Sequence, residues 1–217
     1  MSGPRAKPFD FNVDGPGATN VSRIQAARQQ LDSAIGLYFI SDDLISRHTL
    51  LFAAIGILNP MILARGGADL LMADKVAPEF RDRWLATLKE SSNFFKHGKK
   101  DGDPNDTVTF RPSLDELTLS ATIEGYGKIA GRLTENMVLF VMWIRRKYPT
   151  LYAAPLTESE IEMQRRFPEG EKLAYFRYAK WILSPECNGK AGAIDLTRGD
   201  VEGEILLRTW PTQKDAG

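Results

Sequence analysis

The stretch from Ser113 to Tyr148, SLDELTLSATIEGYGKIAGRLTENMVLFVMWIRRKY, decides the fold. Leu119, Ile123, Tyr126, Ala130, Leu133, Met137, Phe140 and Ile144 recur within it at alternating spacings of four and three. That period keeps one face of an α-helix apolar over many turns, as in a heptad seam. Ser113 followed three residues later by Glu116 has the pattern of a capping box. Pro149 stops a helix at Tyr148. One continuous helix is therefore predicted from Ser113 to Tyr148, about 50 Å long at the usual helical rise. Such a helix forms the spine of a bundle, and its seam is a candidate surface for pairing two copies into a homo-oligomer.

Upstream, three further helices are predicted. The first starts near Asn20, a suitable N-cap, and carries Val21, Ile24, Leu31, Ile35 and Tyr38 at helical spacing, with Arg28 on the same stripe. The second follows Ser41-Asp42-Asp43 and carries Leu44, His48, Leu51, Ile55 and Leu58; Asn59-Pro60 should end or kink it. The third follows Pro78, with Phe80, Trp84, Leu88 and Phe95 inward, and stops near Gly98. Downstream, Thr157 with Glu160 opens a short helix with a capping box. Glu171 to about Leu183 forms another, with Leu173, Phe176 and Leu183 inward. The fold class is all-α: an antiparallel bundle of about four main helices, two shorter C-terminal helices, and an irregular or short hairpin tail. Its parts are a Pro- and Gly-rich arm over 1–18, the bundle over 19–184 and a tail over 185–217, with a turn at Arg198-Gly199-Asp200.

Composition narrows the function classes. Among 217 residues, Lys+Arg and Asp+Glu both number 28, so the formal net charge is zero and the global basic footprint of a nucleic-acid binder is missing. Local phosphate contacts from Arg145-Arg146-Lys147 or Arg165-Arg166 stay open, although solvated helix ends explain them as well. The one cysteine, Cys187, precludes an intramolecular disulfide and fits a reducing compartment. The apolar runs Leu50 to Leu58 and Met137 to Ile144 are shorter than the roughly 20 residues that span a bilayer. With no signal-peptide pattern at the start, the expected location is cytoplasmic, with no membrane association.

The candidate chemistry lies in Asn93-Phe94-Phe95-Lys96-His97. Glu90, Asn93 and His97 are spaced three and four apart and so share one helix face. His97 could serve as a general base with Asn93 orienting it, while Lys96 and Lys99 attract an anion. The plainer account is C-terminal capping, with His97 and the lysines opposing the helix dipole. His48, beside Arg47 on the second helix, is either a hydrogen-bonded core histidine or part of a binding site for phosphate. A metal centre would need His97, Glu90 and His48 or Asp101, and two histidines without a His-x-x-x-His pair argue against one. Asp101, Asp103 and Asn105 begin like a calcium loop, but Asp106 stands where glycine is needed. Gly125, Gly127 and Gly131 lack the preceding strand of a dinucleotide fingerprint, so they indicate close helix packing or a bend, and no cofactor is expected.

An Asn-Phe-Phe-Lys-His segment closing a helix, an Asp-rich loop and then a long helix resembles a group of uncharacterised bacterial proteins. More broadly, the bundle from about Asn20 to Pro149 resembles the HEPN superfamily (higher eukaryotes and prokaryotes nucleotide-binding). The ribonucleases of that superfamily carry an Arg, a polar residue, a short spacer and a His on one helix. Asn93 to His97 lacks the Arg, with Lys89 the closest basic residue upstream, and Arg47-His48 lacks the downstream His. The resemblance therefore implies a non-catalytic binding or interaction protein, in stress or phage defence. The alternative is a metal-independent ribonuclease or other hydrolase, with His97 as base, Asn93 as positioning group and Arg47 with His48 on phosphate.

Overall fold

The structure is a computed structural model that describes residues 19–71, 77–97, 103–151, 155–183 and 204–206. The N-terminal arm, Gly98, Lys99, Asp101, Cys187 and the Arg198-Gly199-Asp200 turn lie outside these residues. Among the described residues the chain forms seven α-helices and two short strands. They are α1 (Arg23–Ile40), α2 (Leu44–Leu63), α3 (Arg81–Lys96), α4 (Pro112–Ala130), β1 (Arg132–Thr134), α5 (Glu135–Lys147), α6 (Glu158–Arg166), α7 (Lys172–Leu183) and β2 (Glu204–Leu206). The all-α class follows, as the periodicity predicted.

Helix starts follow local side-chain chemistry. Ser22, rather than Asn20, caps α1 in a capping box with Gln25, and Asp43 caps α2 by accepting from the Ser46 N–H at 3.0 Å. Thr157 and Glu160 close the expected box on α6. Ser113 does not cap α4. Pro112 occupies its first turn, where no N–H is missed, and Glu116 turns to tertiary partners instead. Pro60 does not end α2, which runs on to Leu63.

The predicted spine is divided. α4 stops at Gly131, whose φ of 77° is left-handed, and the Gly131 N–H donates to the Gly127 carbonyl at 2.8 Å. This is the αL termination that glycine makes easily. Arg132–Thr134 then runs extended and pairs antiparallel with Glu204–Leu206, Leu133 facing Ile205 in register. Thr134 caps α5 by accepting from the Met137 N–H at 3.3 Å. The seam survives this break because both helices and the strand face the same core. Its members are buried except Ala130, which is half-buried. The seam therefore contributes to the chain's own core.

α1 and α2 pack most extensively on each other, α4 lies against α2, and α5 against α1. Leu31, Ile35, Phe39, Leu51, Leu58, Leu119, Ile123, Phe140 and Ile144 form the core. Phe39 sits at its aromatic end, stacked on Phe176 with centroids 4.6 Å apart. Val21 and Phe80, expected inward, are exposed. Gly125 lies where α4 meets the end of α2: a Cβ there would stand 2.6 Å from Ile62 Cδ1 and 2.5 Å from Leu70 Cδ2. The expected close packing of the α4 glycines is thus seen at Gly125. Of the described helices, α2 alone has the length and apolar composition of a membrane span, 20 residues at a mean hydropathy of 1.3. The helix extends the Leu50 to Leu58 run in both directions, and α1 and α4 pack against it.

Candidate functional site

The site is built where the first turns of α2 meet the first turn of α4. Asp43 starts α2 so that Arg47 and His48 face inward, one turn into the helix. Pro112 starts α4 so that Asp115 lies in its first turn, where the helix dipole favours a carboxylate. Because α2 and α4 pack together, Asp115 reaches both. Its Oδ2 accepts from Arg47 Nε at 2.8 Å, and its Oδ1 lies 2.8 Å from His48 Nδ1. All three residues are 3% exposed. Buried charges are tolerated only when paired, and here one carboxylate serves a guanidinium and an imidazole together.

An ionised carboxylate can only accept, so the proton of the second bond belongs to Nδ1 and Nε2 is the remaining nitrogen. Nε2 is buried and has no partner among the described residues. The His48 ring is enclosed by Phe52, Phe110 and Phe95, with centroids at 4.4, 5.2 and 5.5 Å. It lines a cavity of about 20 Å³ shared with Thr87, Ser91, Thr118 and Asp115. That space holds about one water molecule.

The carboxylate next along α4 anchors a second polar cluster. Glu116 accepts from Lys147 Nζ at 2.9 Å and from the Tyr148 hydroxyl at 2.9 Å. Burial works to lower the Lys147 pKa, but the Glu116 carboxylate more than offsets it and the net shift is upward. Arg47 also lies over the Tyr38 ring, 5.4 Å from its centroid, and Tyr38 accepts from Trp143 Nε1 at 2.9 Å. Burial, with the Glu116 charge nearby, holds the Tyr38 phenol above its usual range.

The residues singled out in the sequence separate into two groups. Arg47 and His48 are core. Lys96 lies over the Phe52 ring at 5.8 Å, and burial lowers its pKa. Glu90, Asn93 and His97 are exposed, and no side-chain bond links them. His97 ends α3 through its backbone N–H, which donates to the Asn93 carbonyl at 2.9 Å. The ends of α2 and α3 therefore do meet, through Phe95 on His48 and Lys96 on Phe52, while His48 lies buried and His97 exposed. Lys99 lies outside the described residues.

Sequence reasoning missed Asp115 and assigned Glu116 to a cap. The usable signal was Arg47-His48 on an apolar stripe, which demands a buried acid somewhere in the chain. An Asp-oriented imidazole is the arrangement that prepares a general base, but catalysis also needs a substrate atom within hydrogen-bond reach. Ser91 shares the cavity without bonding Nε2, and the space is about 20 Å³. No group of three His, Cys, Asp or Glu side chains among the described residues is placed to hold a metal ion. Comparison of the chain with family models, with curated proteins and with solved structures finds no match.

Proposed function

We propose that this chain acts by binding rather than by catalysis, as a cytoplasmic helical interaction protein of the kind its resemblance to non-catalytic HEPN members implies, in stress or phage defence. One observation carries the reading. The histidine with a carboxylate partner, His48, is buried beside a space for about one water, while the exposed His97 has no side-chain partner among the described residues to orient it. A general base needs both an orienting group and access, and each histidine has one of the two. The His48–Asp115–Arg47 cluster then serves to join α2 to α4, and the α3 end presents Asn93, Phe94 and His97 as a recognition surface.

The test is incubation of the full chain with labelled RNA, comparing wild type with His97→Ala and His48→Ala. The expected result is no cleavage by any of the three. Turnover by wild type that His97→Ala abolishes, at matched folded fraction, would establish the ribonuclease alternative and end the binding reading.

A further inference from the structure

α3 covers His48, and the core holds α3 lightly. Its fully buried side chains are Leu88, Ser91 and Ser92, a single apolar residue in a helix of 16, whereas α1 buries six hydrophobic residues in 18. Trp84 and Leu85 add half-buried contacts, and Trp84 Nε1 donates to the Leu71 carbonyl at 2.7 Å. Among the described helices its main packing partner is α2. Residues 64–80 and 97–111 separate it in the chain from α2 and α4. A helix with so little buried apolar surface belongs to the low-stability end of a fold, where units open without global unfolding.

On its inner side α3 meets the imidazole. Phe95 lies edge-on to the His48 ring with centroids 5.5 Å apart, and Thr87, Leu88 and Ser91 wall the small cavity that the ring lines. The group that orients the ring comes from elsewhere. Asp115 on α4 lies 2.8 Å from Nδ1, and α4 packs directly on α2. We propose that α3 is a cap over an oriented histidine, which undocks as a unit while α2 and α4 stay packed and so bares His48 Nε2 to solvent. In the docked state Nε2 is buried without a partner among the described residues. Opening gives that nitrogen water to bond, which offsets part of the loss of the Leu88 and Phe95 contacts. It also joins in one histidine the orientation and the access that the docked fold keeps apart. Access to His48 is separate from what the chain binds, so the result with RNA leaves it untouched.

Diethyl pyrocarbonate acylates an accessible neutral imidazole nitrogen, and peptide mass spectrometry reads His48 and His97 separately in the full chain. His97 is exposed and serves as the internal reference. Below the unfolding transition His48 should react more slowly than His97 by roughly tenfold or more, with a urea dependence shallower than that of global unfolding. Leu88→Ala should speed His48 labelling by on the order of 30-fold and leave His97 unchanged. Leu31→Ala weakens the α1 core, which stays folded when α3 undocks, and should leave both rates unchanged well below its own urea midpoint. If either variant fails to fold, the urea slope in wild type decides. His48 labelling as fast as that of His97, no His48 labelling below the transition, a slope as steep as global unfolding, or equal acceleration by the two variants would each overturn the cap.

Discussion

His48 and Asp115 stand 67 residues apart in the chain and 2.8 Å apart in the core. Arg47 completes the cluster at 2.8 Å from the other carboxylate oxygen. Asp115→Ala leaves a buried guanidinium without its counter-charge and should cost about 3–5 kcal/mol in urea denaturation. The triple variant Arg47→Met/His48→Phe/Asp115→Leu should lose less than Asp115→Ala alone, since it removes the charges instead of orphaning one. An Asp115→Ala cost under about 1 kcal/mol would show that the cluster does not join α2 to α4 in this way.

The two histidines should respond unequally to truncation. His48→Ala opens a cavity among Phe52, Phe95 and Phe110 and leaves Asp115 short of a donor, for a loss of about 2–4 kcal/mol. His97 is exposed and contributes its backbone to the end of α3, so His97→Ala should stay within about 0.5 kcal/mol of wild type. Chemical denaturation of both variants side by side checks the contrast.

Gly131 distinguishes a divided helix from a continuous one by the sign of a substitution. At φ 77° an alanine is strained, so Gly131→Ala should destabilise by about 1 kcal/mol and Gly131→Asn by less. In a helix running unbroken to Tyr148 the same alanine would instead stabilise by about 1 kcal/mol.

Gly125→Ala sets helix propensity against packing. The gain of about 1 kcal/mol in propensity competes with an overpacking cost of about 1–3 kcal/mol. The contacts of 2.5 and 2.6 Å fall on Leu70 and Ile62, both buried with little room to move, so the net should be a loss of about 1 kcal/mol. Truncating Leu70 to Ala in the Gly125→Ala background should recover part of the clash term, giving a non-additive cycle.

Asp32 provides a pH signature. Its carboxylate accepts from Thr134 Oγ1 at 2.5 Å, yet burial outweighs this bond and raises its pKa above the usual 3.8. A raised pKa means that the folded state binds the proton more tightly than the unfolded one. The contribution of Asp32 is thus fully present below about pH 4 and is lost as pH climbs through the folded-state value. Asp32→Asn keeps an oxygen for Thr134 and removes the charge. It should therefore be more stable relative to wild type at pH 7 than at pH 4, as read from urea midpoints at both pH values.

Helix identity was legible in the chain because it depends on local spacing. The stripes of α1, α2, α4 and α5 were visible as periods of three and four, and the Thr157 box as a short-range exchange of hydrogen bonds. The division of the spine was less legible. Gly131 and Thr134 are a good terminator and a good cap, but the apolar period passes through them without losing phase because helix, strand and helix all face one core. At Ser113 the pattern matched a capping box, and tertiary partners won: Lys147 and Tyr148 offer Glu116 stronger, charge-assisted bonds than a backbone N–H.

By itself the sequence determined an all-α chain, its helix faces and the presence of Arg47 and His48 on an apolar stripe. Tertiary structure alone decided that Asp115 answers them, that His97 lies on the surface while His48 is buried, and that Arg146 finds no counter-charge among the described residues. The reason is physical. Periodicity is set by the geometry of one helix, whereas burial and charge pairing depend on which residues of other helices arrive within about 3 Å, a distance that spacing along the chain does not encode.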